Sequence, residues 1–117
     1  MAAERFDFTI EQGATFKWYI TINDPDAPTE FLDLTTYLVR SQARSKYESA
    51  SPAFTFTCII QDQVTDTGKV LLYLADEATA VVAKGNYVYD VELESSGGEV
   101  VRLYQGRITV SPEATRA

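Results

Sequence analysis

The sequence predicts an all-β protein, an antiparallel β-sandwich of about seven strands, and three observations carry that reading. Apolar side chains recur at period two, the spacing that gathers them on one face of a strand. Clusters of Gly, Pro, Asn and Asp separate the alternating segments at short intervals, as turns do between strands. Helical character is confined to Asp76–Val82, with acids in its first turn and Lys84-Gly85 at its end.

Phe6, Phe8 and Ile10 alternate with Asp7 and Thr9 and make the first strand. After the turn at Gln12-Gly13, Phe16, Trp18, Ile20 and Ile22 alternate with Lys17, Tyr19 and Thr21 in the second, where Trp18 is the expected core anchor. Asn23 to Pro28 is read as a loop, because proline cannot donate to a ladder and Asn and Asp favour turns. The third strand, Tyr37 to Arg44, sets Val39, Ser41 and Ala43 against Leu38, Arg40, Gln42 and Arg44, so only weak burial is expected. Phe54, Phe56, Cys58 and Ile60 mark the fourth and make Cys58 a small core residue. The fifth, Val70 to Leu74, is apolar on both faces, as in a strand covered from two sides or one that meets a partner.

The short helix then crosses from the fifth strand to the sixth, where Tyr87, Tyr89, Val91 and Leu93 alternate with Val88, Asp90, Glu92 and Glu94. A three-residue loop at Ser96-Gly97-Gly98, with glycine in the left-handed position, sets Leu93 opposite Val101, Glu92 opposite Arg102 and Val91 opposite Leu103 in the seventh strand. The apolar parity changes between Leu103 and Ile108, which predicts a β-bulge near Gln105-Gly106. Tyr87 stands near the start of the sixth strand, where an immunoglobulin-like domain carries its tyrosine corner. The expected Greek-key pairing puts the first, second and fifth strands in one sheet and the third, sixth and seventh in the other.

A chain of 117 residues fits one domain, with residues 1–5 and 111–117 as extended arms. It has no histidine and one cysteine, which excludes His-based triads, the common zinc constellations and an internal disulfide. A net charge of -7 without a clustered basic face argues against nucleic acid and anionic membranes as partners. No stretch has the length of apolar sequence that spans a bilayer, and no basic segment followed by an apolar run opens the chain.

Asp90, Glu92 and Glu94 share a strand face, and paired carboxylates serve glycosidases, but the hairpin register sets them against Arg102 as a solvated face. Asp24 and Asp26 lack the dense acidic spacing of a calcium loop and read as turn formers. Gly97-Gly98 and Lys69 do not make a phosphate loop. Of the tyrosines, Tyr37, Tyr47, Tyr73 and Tyr104 are the ones free of core parity and available to an interface or to a sugar.

Three motifs then stand out: Phe8-Thr9-Ile10-Glu11-Gln12-Gly13-Ala14-Thr15-Phe16, Leu32-Asp33-Leu34-Thr35-Thr36-Tyr37, and Gly85-Asn86-Tyr87-Val88-Tyr89-Asp90-Val91-Glu92-Leu93. With Gly98, Gly106 and Pro112-Glu113-Ala114-Thr115-Arg116, they resemble the small immunoglobulin-like structural proteins of tailed bacteriophages and prophages, in a pattern similar to the N-terminal domain of upper-baseplate proteins. Thr36 replaces the glycine usual after the Asp-Leu-Thr motif. The resemblance implies a single immunoglobulin-like sandwich and a non-enzymatic virion protein without cofactors. Such a protein acts as an adaptor in the tail or baseplate, in contact with other virion proteins in a homo- or hetero-oligomeric assembly. A capsid decoration protein of the same fold and a host-glycan-binding module are the alternatives. Leu71, Tyr73, Tyr37 and Tyr104 are the expected interface residues, and Trp18, Tyr87, Gly98 and Gly106 the expected folding positions.

Overall fold

A computed structural model describes residues 3–115 and gives an all-β fold. Its strands are β1 (Glu4–Arg5), β2 (Phe8–Glu11), β3 (Phe16–Thr21), β4 (Asn23–Asp24), β5 (Ala27–Phe31), β6 (Leu38–Arg44), β7 (Phe54–Ile60), β8 (Lys69–Leu74), β9 (Gly85–Glu94) and β10 (Val100–Ser111). The helix α1 (Asp76–Ala80) lies between β8 and β9. Ten strands replace the expected seven because β1, β4 and β5 are also formed.

Eight strands make one curled mixed sheet in the order β1, β10, β9, β6, β7, β8, β3, with β2 also on β10. The curl turns on β7. Ala43 and Ser41 of β6 pair with Phe54 and Phe56, while Val70 to Tyr73 of β8 pair with Ile60 back to Thr57. One strand thus serves both halves of the sheet, and the inward residues of each half meet in a common core. Leu34, Val70, Leu72, Tyr89, Val91 and Ile108 are fully enclosed there.

The third, sixth and seventh expected strands pair as read, as β6, β9 and β10, and the second and fifth pair as β3 and β8. The first does not join them. β2 runs parallel to β10, with Phe8 opposite Ile108 and Ile10 opposite Val110, and β1 continues that edge opposite Tyr104 and Gln105. Of the expected arms, Glu4–Arg5 therefore lie in the sheet and Ser111 ends β10, while residues 1–2 and 116–117 fall outside the described residues.

The expected loop at Asn23–Pro28 is a small hairpin, β4 with β5. Asn23 donates to the Pro28 carbonyl, and Asp24 accepts the Asp26 N–H. Proline is tolerated because this two-stranded piece has free edges that need no donor.

In the β9–β10 hairpin the loop closes as read: Ser95 N–H bonds to the Glu99 carbonyl, and Gly98 takes φ 87°. Leu93 faces Val101 and Glu92 faces Arg102, but Val91 faces Tyr104 rather than Leu103. The register shifts between Arg102 and Tyr104, so the irregularity sits at Leu103 and not at Gln105-Gly106. Tyr104 turns inward there, its ring edge-on to Trp18 at 5.2 Å. Gly106 has a different reason to be glycine: a Cβ would run into the Phe6 carbonyl and the Asp7 carboxylate where the β1–β2 segment crosses β10.

Candidate protein interface

An apolar exposed surface is built by strand alternation. In β3, β8 and β7, the even-numbered residues face the core, which turns Lys17, Tyr19, Thr21, Lys69, Leu71, Tyr73, Thr57 and Ile59 outward. Register then decides which of them touch. Tyr19 is opposite Leu71, and Leu71 is opposite Ile59, so three apolar side chains form one row across three strands. Tyr19 and Ile59 are 57% and 44% exposed, while Leu71, between them, is 8% exposed although it points away from the core. The next row is Lys17, Tyr73 and Thr57. On the other side, Thr21 is opposite Lys69, whose ammonium lies 3.6 Å from Asp66. The face is therefore an apolar and aromatic strip with lysine on either side.

The opposite outer face, on β6, β9 and β10, is charged and internally compensated. Arg40 reaches Glu92 at 3.0 Å and Glu94 at 2.6 Å, and Arg102 reaches Asp90 at 3.5 Å. Sequence reasoning gave Arg102 alone to the acids; Arg40 was missed because its neighbour depends on the β6–β9 register. Burial, reinforced by Glu92, pushes the Asp90 carboxyl above its ordinary value in spite of Arg102. The two carboxylates of the Arg40 pair are held by one guanidinium, which commits them to structure.

Of the four expected interface residues, Leu71 and Tyr73 lie on the apolar face. Tyr37 lies elsewhere, in a groove of about 630 Å³ between the β4–β5 and β9–β10 hairpins, lined also by Leu32, Leu93, Leu103 and Arg102. Tyr104 is partly buried against Trp18. Sequence reasoning did not single out Tyr19 and Ile59. The available signal was a large apolar residue at outward parity in each of two strands flanking the two-sided one.

The expected folding positions are occupied as follows. Trp18 faces inward against Phe6 at 5.0 Å, Phe8 at 5.3 Å and Tyr104. The Tyr87 hydroxyl donates to the Ala83 carbonyl at 2.6 Å, tying β9 to the segment after α1. Cys58 is half-buried, and desolvation pushes its thiol up to about 11, which keeps it protonated and unreactive at neutral pH. Among the described residues, no group of three or more His, Cys, Asp or Glu is placed to hold a metal ion. No helix among them is long and apolar enough to cross a membrane. No protein-family model and no curated protein matches the sequence.

Proposed function

We propose that this chain is a non-enzymatic structural protein of a tailed-phage particle, an assembly adaptor that binds other virion proteins in the tail or baseplate. The observation that carries the reading is the Tyr19–Leu71–Ile59 row, an apolar strip on an open sheet face of a chain with net charge -7. Such strips, rimmed by polar groups, are where protein partners bury surface. The motifs that resemble phage immunoglobulin-like proteins supply the location.

The same reading takes the curled sheet as an immunoglobulin-like sandwich. One layer is β3 with β8, the other β6, β9 and β10, and β7 joins them. The bond from the Tyr87 hydroxyl to the backbone four residues upstream is the arrangement of a tyrosine corner and favours this view.

Cryo-electron microscopy of the particle that carries the chain tests the proposal. Density for a domain of this size at the tail or baseplate is the expected result. Density on the shell makes it a decoration protein, and absence from the particle overturns the reading. At the level of the face, Ile59→Lys is expected to reduce incorporation while leaving the Tm of the isolated protein within a few degrees, because Ile59 is exposed.

A further inference from the structure

Among the described residues, the longest unbroken unpaired edge of the sheet is that of β3. β1 and β2 cover β10, and β5 carries Pro28, but β3 ends the sheet and no described strand pairs with its second edge. The β3–β8 ladder runs without a shift from Phe16 opposite Leu74 to Thr21 opposite Lys69, so the free edge is regular over its whole length. It has no proline and no bulge to blunt it, and Lys17 is its one charged residue. Its groups can be assigned. Ile22 N–H bonds to Gly68 on the β8 side, so by alternation Ile20 and Trp18 also point to β8, and Lys17, Tyr19 and Thr21 present their N–H and C=O groups outward.

We propose that this edge pairs with the same edge of a second copy of the chain, antiparallel about a two-fold axis at Tyr19. The axis makes the interface self-complementary and closes the assembly at two copies. Tyr19 meets Tyr19 of the second copy. Lys17 meets Thr21, so no like charges are opposed. The three outward-pointing residues of each strand supply about six backbone hydrogen bonds. The pairing also joins the two outer faces, and the row Ile59–Leu71–Tyr19 continues into Tyr19–Leu71–Ile59 of the second copy. A partner would then meet a strip twice as long. The inference does not depend on the location in a particle.

Sedimentation of the full-length chain across a concentration series tests it. Wild type is expected to dimerise reversibly. Thr21→Lys sets two lysines opposite each other at both ends of the pairing and is expected to weaken the dimer about tenfold. Adding Lys17→Glu to Thr21→Lys makes those contacts attractive and restores it. All these positions are exposed, and unchanged circular dichroism checks the fold. A wild-type chain still monomeric at about 1 mM overturns the proposal. So does a dimer that ignores Thr21→Lys, or one that the second substitution fails to restore.

Discussion

Single side chains set the sharpest conditions on this fold. Tyr87 is almost wholly buried and spends its hydroxyl on the Ala83 carbonyl, fixing the crossing from α1 into β9. Tyr87→Phe keeps the ring and loses that bond. It is expected to cost about 1 kcal/mol, read as a lower urea midpoint at unchanged slope. Asp90 gives a pH dependence with a defined sign. Its folded-state pKa is raised, so its contribution to stability is present below the ordinary carboxylate value of 3.8 and is lost as pH rises through the folded value. Asp90→Asn removes that loss. The Tm gain over wild type is expected to be near zero at about pH 3 and positive at about pH 7. A gain that does not grow with pH would refute the assignment. Asp7 works in the opposite direction: the Arg107 N–H, and Arg5 after it, hold its carboxyl low, and the stability it contributes is lost in acid.

At the scale of elements, the β1–β2 segment matters out of proportion to its length. Phe8 touches Phe16, Trp18, Phe56 and Tyr89, all with ring centroids within 6.4 Å, and so pins the parallel β2–β10 pair to the other half of the sheet. Phe8→Ala is expected to cost about 3 kcal/mol and to speed amide exchange in Thr9–Glu11 and in their β10 partners. Arg40→Ala, on an exposed and solvent-screened ion-pair cluster, is expected to leave the urea midpoint close to that of the wild type. Alternation made β2, β3, β6, β7, β9 and β10 legible, because each has one more buried face, and β8 was legible as a short apolar run. It could not make β4 and β5 legible, since a hairpin this short and this exposed has no core side to betray it. Nor could it say where β2 pairs. Phe8 and Ile10 have inward parity against β3 or β10 alike, and the choice belongs to residues about a hundred positions away in the chain. The bulge was misplaced for a related reason. Gly106 looks like the yielding residue, yet it is small because Phe6 crosses it, and the ladder gives way where Tyr104 swings onto Trp18.

The candidate interface belongs to the whole molecule. Leu71 and Tyr73 were legible because Val70–Leu74 is apolar on both sides. Tyr19 and Ile59 joined them only through the pairing of three strands, which composition does not encode. The parallel pairing of β2 with β10 has one more consequence, and it concerns mechanical load. Tension applied through the two flanking ends of the chain draws the start of β2 and the end of β10 in opposite directions along their common ladder. The hydrogen bonds of the pair are then strained together in shear. Force applied at Gly85 and Val110, at the open end of the β9–β10 ladder, instead peels its bonds one after another. Single-molecule pulling through the chain ends is therefore expected to give the higher rupture force.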